Sequence, residues 1–160
     1  MEKEATAYAK RLKGKAKINC LFLGGGTPTY LSAEKINQLV SFLKEKFDFV
    51  EKIEATVESS PETITEEKLS KLTEEFSRLS IGVQSFDNNV LREANRNHSS
   101  EQAVRAIEMT NAAGFKSVNI DLIYGLPGQS TKSWQQTLET AAGLDLESVT
   151  ASSLRILHGT

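Results

Sequence analysis

The 160-residue sequence has a single cysteine, Cys20. One thiol cannot close a disulfide within the chain, which suits a reducing compartment. Nor can it hold an iron–sulfur cluster, which needs several thiolates. Basic residues are not in excess: 19 Lys and Arg stand against 21 Asp and Glu, a net charge of -2, with no basic stripe. Such a chain is a poor electrostatic partner for nucleic acid. No apolar run approaches the ~20 residues of a membrane span. The N-terminal MEKEATAYAK lacks the apolar centre of a signal peptide. These absences predict a cytoplasmic protein with neither nucleic acid nor membrane as partner. Long linkers, low-complexity tracts and charge blocks are missing too. The length suffices for one domain with a real core.

What is present is a succession of strand-then-helix units. Glu2 to Leu12 is charged and reads as a helix, and Ile18–Leu23 as a buried strand running into glycines. Cys20, in INCLFLG, reads as a buried small hydrophobe, with a ligand or catalytic thiol as the alternative. Ser32 can cap a helix from Ala33 to about Lys46, whose Ile36, Leu39, Val40, Leu43 and Phe47 recur at helical spacing. Ile53–Glu58 is the next strand. Thr65 can cap a helix with Glu66 and Glu67 in its first turn and Leu69, Leu72 and Phe76 on its buried side. Leu79–Val83 is a third strand, and Asp87 to Arg92 a short helix. Ser99 and Gln102 form a capping box for a helix ending at Gly114. Val118–Ile123 is a fourth strand, Ser130 to Ala142 a helix stopped at Gly143, and Val149–Leu154 a fifth strand. Alternation of this kind implies a parallel sheet with right-handed crossovers. The pattern fits a doubly wound sheet or part of a β/α barrel equally. In both, ligands gather at the C-terminal ends of the strands.

Those ends carry the unusual residues. The first strand runs into Gly24-Gly25-Gly26-Thr27-Pro28-Thr29, which lets a ligand approach the backbone closely. It is neither the dinucleotide fingerprint nor a P-loop, and a glycine triplet is also an ordinary turn. The second ends in Glu58, a carboxylate able to accept from ribose hydroxyls or an ammonium, or simply a solvated edge residue. The third ends in Gln84, which offers donor and acceptor together. Arg96 follows in NRNH and can grip a carboxylate with two parallel bonds, or be a plain surface charge. His98 reads as a polar surface residue. Asp121 lies inside the apolar fourth strand, where an unpartnered carboxylate is costly, so it faces a polar centre or a partner. Glycine nest, Glu, Gln, Arg and Asp around one mouth could take a zwitterionic ligand bearing a ribose.

The strings FLGGGTPTYLS, VESSP, RLSIGVQSFD, NRNH and NIDLIYGLPGQS, in this order and spacing, resemble the coproporphyrinogen-oxidase-like branch of radical S-adenosylmethionine (SAM) proteins. The likeness runs from about Ile18 to the C-terminus. It implies an α/β fold, a partial (β/α) barrel of about five parallel strands with outer helices. Residues 1–160 would be its central part, with the first strand missing and the chain truncated at both ends. It also implies that Gly25, Gly26 and Thr27 contact SAM, and that Glu58 and Gln84 bind its amino or ribose groups. Arg96 would pair with the SAM carboxylate, and Asp121 would take a polar SAM group. Which of Glu58, Gln84 and Asp121 holds which atom stays open. Family members carry C-x-x-x-C-x-x-C for a [4Fe–4S] cluster, a motif absent here, and Cys20 is on the wrong strand to replace it. No metal ligand or catalytic residue is therefore expected in this chain, which by itself should be inactive. The closing SLRILHGT also departs from the family pattern.

For an intact protein, the resemblance implies cleavage of SAM to a 5'-deoxyadenosyl radical and decarboxylation of a porphyrinogen propionate in haem synthesis. A haem-trafficking chaperone or a radical SAM methyltransferase is the alternative. The partner would be a porphyrinogen or haem-like small molecule. Exposed barrel edges predict self-association of the chain.

Overall fold

The structure, a computed structural model, describes residues 2–155. The chain runs α1 (Glu2–Leu12), β1 (Ile18–Leu23), α2 (Ala33–Lys46), β2 (Phe49–Ser59), α3 (Glu66–Leu72), β3 (Arg78–Gln84), α4 (Asn88–Glu93), α5 (Ser100–Ala112), β4 (Ser117–Tyr124), α6 (Thr131–Ala142) and β5 (Ser148–Ser153). Single 3₁₀ turns follow β1 (Pro28–Tyr30) and β2 (Pro61–Thr63). The predicted units are present in the predicted order. The largest shift is at β2, which begins at Phe49 rather than Ile53 because residues 49–52 extend alongside the start of β1. Glu51 and Lys52 gave that extension no strand-like apolar alternation.

The helix starts follow from side-chain oxygens placed to accept the first unpaired amides. Ser32 accepts from Lys35 N at 3.4 Å and Thr65 from Lys68 N at 3.2 Å. At α5 the box is reciprocal: Ser99 N donates to Gln102 Oε1 at 2.8 Å and Gln102 N to Ser99 Oγ at 3.3 Å.

All strands are parallel and their order is β1-β2-β3-β4-β5. Each new strand is added beside the last, so the order never reverses. A doubly wound sheet needs such a reversal. Sequential order is instead that of a β/α barrel, here a partial one.

Alternation divides the sheet into two faces. Val57, Leu79, Ile81, Val118, Ile120 and Leu122 join Ile36 and Val40 of α2, Leu69 and Leu72 of α3, and Ile107 of α5 in one apolar core. The opposite, inner face carries a polar row, Glu58–Ser80–Asn119–Ser148, with Gly82–Asp121–Thr150 above it. Cys20 is exposed on β1 rather than buried. On this edge strand only alternate residues, Leu21 and Leu23, reach the core. Among the described residues no helix is long and apolar enough to cross a membrane.

Candidate functional site

The C-terminal ends of β1 to β4 form the mouth. After β1 the backbone turns on Gly25 and Gly26, with φ of 94° and 83°. L side chains rarely adopt such values, so glycine is required. A Cβ added at either position would meet nothing within 4 Å; the space beside them is open. At Gly24 a Cβ would lie 2.5 Å from Phe22 Cε1 and 2.7 Å from Glu58 Oε2, so a side chain there would have to displace both of these side chains. Glu58, at the end of β2, accepts from Gly25 N at 3.0 Å and so ties the glycine turn down. Thr27 opens the following 3₁₀ turn without a side-chain cap bond. Behind it, buried Thr29 bonds to Ser59 at 2.9 Å and Thr63 at 2.6 Å. Lys68 Nζ donates to the Thr29 carbonyl at 2.5 Å.

At the end of β3 the register with β4 slips. Gly82 faces Asp121 but Gln84 faces Leu122, leaving Val83 as an extra residue. Gln84 takes φ of 68° there, a strained value for a residue with a side chain. Its side chain lies over Gly82: a Cβ on Gly82 would sit 2.9 Å from Gln84 Nε2 and 3.7 Å from Arg96 Nη2. Arg96 Nη2 donates to the Gly82 carbonyl at 3.1 Å and to Ser60 Oγ at 3.3 Å. Gln84 Oε1 and Arg96 Nε are both buried and unpartnered. Unmet polar atoms of this kind are costly unless a ligand meets them.

Asp121 has each oxygen held, Oδ2 by Ser80 Oγ at 3.0 Å and Oδ1 by Asn119 Nδ2 at 3.0 Å. Asn119 Nδ2 also donates to Ser80 Oγ at 2.8 Å, and its Oδ1 accepts from Ser148 Oγ at 2.8 Å. Arg78 Nη2 completes the chain on Ser148 Oγ at 3.1 Å. Sequence reasoning singled out Asp121 but missed this network. Its signal was the alternation of polar with apolar residues in RLSIG and VNIDL.

His98 is also not where the sequence reading put it. It is buried, with Nε2 3.0 Å from the Val83 carbonyl and Nδ1 3.4 Å from Glu62 Oε2, the latter without hydrogen-bond geometry. Nothing in NRNH marks burial, because the cavity is made by distant residues. Burial lowers the His98 pKa most strongly, with the nearby Arg96 charge adding to it; the bond to Val83 and the Glu62 charge oppose them. Burial pushes the Glu62 carboxyl up, but bonds from Ser60, its own backbone and Tyr30 outweigh this and leave it lowered.

A family model described as the Radical SAM superfamily matches residues 2–141. The chain belongs to the radical SAM superfamily. The oxygen-independent coproporphyrinogen III oxidase of Escherichia coli K12 is 39% identical over 146 residues, covering 91% of this chain and 32% of the relative. The heme chaperone HemW of Lactococcus lactis is 35% identical over 139 residues, 86% of this chain and 37% of the relative. The solved coproporphyrinogen III oxidase HemN of Escherichia coli matches with a TM-score of 0.89 at 37% identity, over 98% of this chain and 36% of that one. The similarities lie on the branch holding these oxidases and chaperones, and the chain spans about a third of the length of these curated relatives.

For a radical SAM protein the donor set at the mouth is apt. The open space beside Gly25 and Gly26, the unpartnered Gln84 Oε1 and Arg96 Nε, and the carboxylates of Glu58 and Asp121 fit the groups that SAM offers. An iron–sulfur cluster is different. The chain has one cysteine, and among the described residues no three His, Cys, Asp or Glu side chains gather. The described residues do not supply its ligands.

Proposed function

We propose that these residues are the SAM-binding part of a radical SAM oxidoreductase acting on a porphyrinogen, of the coproporphyrinogen III oxidase kind. The observation that carries this is the convergence of Gly25, Gly26, Glu58, Gln84, Arg96 and Asp121 on one mouth, with two buried polar atoms unmet. SAM held in such a site would supply, on one-electron reduction by a [4Fe–4S] cluster that the described residues do not ligate, a 5'-deoxyadenosyl radical for hydrogen abstraction. The chain's own work is placement. Gly25, Gly26 and Thr27 leave room for the ligand against backbone. Arg96, with Nη2 engaged by Gly82 and Ser60, presents its remaining N–H groups to the SAM carboxylate. Gln84 and Glu58 take amino or ribose groups. Asp121, held on both oxygens, accepts from a further polar group. A porphyrinogen propionate is the proposed substrate because the oxidases of Escherichia coli and others are similar over most of this chain.

The test is calorimetric titration of SAM into this chain and into a longer form that carries a C-x-x-x-C-x-x-C segment with its cluster reconstituted. The longer form should bind and Arg96→Ala should weaken that binding about ten- to a hundredfold; this chain alone should bind weakly and show no turnover. Binding by neither form would leave the family likeness as a likeness of fold. The 35% identity to a heme chaperone favours a second reading, haem binding. A haem titration followed by absorbance separates the two: a Soret shift at one equivalent, without decarboxylation of porphyrinogen, selects the chaperone. Among the described residues β1 pairs only with β2 and β5 only with β4. Open edges invite association, so this chain should dimerise at high concentration. A monodisperse monomer by light scattering would argue against it.

A further inference from the structure

We infer that His98 is a positioning residue that, together with Arg96, fixes the end of β3 so that Gln84 is turned into the mouth. The inference rests on the SAM-binding reading and goes beyond it, since His98 itself touches no ligand group.

The β3 bulge creates the need. A bulge leaves its extra residue unpaired by the ladder, and Val83 is that residue. The Gly82 carbonyl therefore looks elsewhere, while the Val83 carbonyl accepts from Ser85 N at 2.8 Å, closing a tight turn around Gln84, and has a second lone pair to offer. Arg96 Nη2 takes the Gly82 carbonyl at 3.1 Å, and His98 Nε2 takes the Val83 carbonyl at 3.0 Å. Two side chains spaced two apart in sequence thus grip two consecutive carbonyls immediately before Gln84. A carbonyl only accepts, so Nε2 carries the hydrogen and Nδ1 holds the lone pair in the neutral ring.

The other side of the same pair reaches the turn after β2. Arg96 bonds Ser60 Oγ, and His98 Nδ1 stands 3.4 Å from Glu62. Glu62 in turn accepts from Ser60 Oγ and, at 3.0 Å, from the hydroxyl of Tyr30 in the turn after β1. Through Ser60 and Glu62, Arg96 therefore ties the end of β3 to the turns after β1 and β2, while His98 packs against Glu62 and holds the Val83 carbonyl. Gln84 needs such a tie because its φ of 68° is strained and persists only if its surroundings over-determine it.

The experiment compares His98→Leu with His98→Gln, whose amide can restore one N–H donor. Two readouts are taken: the backbone amide resonances of Gln84 and Ser85 in this chain, and SAM affinity in the cluster-loaded longer form. His98→Leu should displace both resonances and weaken SAM binding about tenfold, the scale of one buried hydrogen bond. His98→Gln should recover most of both. Unmoved resonances in His98→Leu would overturn the inference. So would moved resonances with unchanged SAM affinity, provided Gln84→Ala does weaken binding. If neither Gln84→Ala nor Arg96→Ala affects SAM, the proposed function fails instead, and the resonances still decide whether His98 fixes the bulge.

Discussion

Ile120 and Asp121 are neighbours in β4 but belong to different chemistries. Ile120 is fully buried among Leu79, Ile81 and the helices. Asp121 faces inward, bonded to Ser80 and Asn119. The same contrast runs across the sheet: an outer face of Val, Leu and Ile, and an inner face of Ser, Asn, Asp and Glu. The outer face removes apolar area from water, the main favourable term in folding. The inner face arranges donors and acceptors that largely satisfy one another; among those left unmet are Gln84 Oε1 and Arg96 Nε at the mouth and Ser117 Oγ at the opposite end of β4. A barrel strand thus separates stability from binding by alternation alone.

The largest effect should come from attacking the outer face. Ile120→Ala should cost about 2–5 kcal/mol of stability by urea denaturation, through lost burial and a residual cavity. Asp121→Asn keeps the shape and should cost about 1 kcal/mol or less, while weakening SAM binding in the cluster-loaded longer form. Equal stability losses would mean that the inner face is a second core, and the division would fail. Next in size is Arg96→Ala. Hydrogen bonds to a charged group are worth about 1.5–3 kcal/mol, so SAM affinity should fall about ten- to a hundredfold. Arg96→Lys should rescue little, because Nη2 alone already serves Gly82 and Ser60, and a single ammonium there leaves no second nitrogen for the SAM carboxylate.

How much of this was legible differs between the faces. The outer face was written in periodicity: Ile36 and Val40 at helical spacing, Leu79 and Ile81 at strand spacing, with Ser32, Thr65 and Ser99 as starts. Each such signal is local. The inner face was legible only where a residue was out of keeping with its strand, as Asp121 is, or where glycines clustered. Ser80 and Asn119 drew no notice because short polar residues in a strand are unremarkable until their partners on other strands are known. His98 was misread for the same reason. Its burial depends on Val83 and Glu62, 15 and 36 positions away, a closure that only the fold provides. Cys20 failed in the opposite direction, since its apolar neighbours suggested burial that an edge strand does not give.

A smaller effect sharpens the local side of this comparison. Ser99 caps α5 with a reciprocal box, so Ser99→Ala should cost about 1 kcal/mol by thermal or urea unfolding. Asn88 Oδ1 accepts from Ser100 N at 2.8 Å. That bond survives the substitution, so the loss should stay at the level of one cap and leave SAM binding unchanged.

The smallest effect, and the one most specific to the mouth, is a dependence on pH. His98 titrates below its ordinary 6.5 in the folded chain, chiefly because burial disfavours the charged ring. The unfolded chain therefore binds a proton first as pH falls. Stability rises with pH wherever the unfolded state binds more protons, so His98 contributes fully above about 6.5 and its contribution is lost on acidification below that value. Glu62 acts in a separate, lower window. Its folded pKa lies below 4.5, so its contribution is present above 4.5 and lost as pH falls through the folded value. The groups facing His98 are Glu62, which moderates the loss by attracting a protonated ring, and Arg96, which deepens it. Urea midpoints of this chain between pH 7.5 and 5 should fall, and His98→Gln should flatten the fall. An equal fall in His98→Gln would assign the acid sensitivity elsewhere and leave the buried ring without a share in the pH response of the mouth.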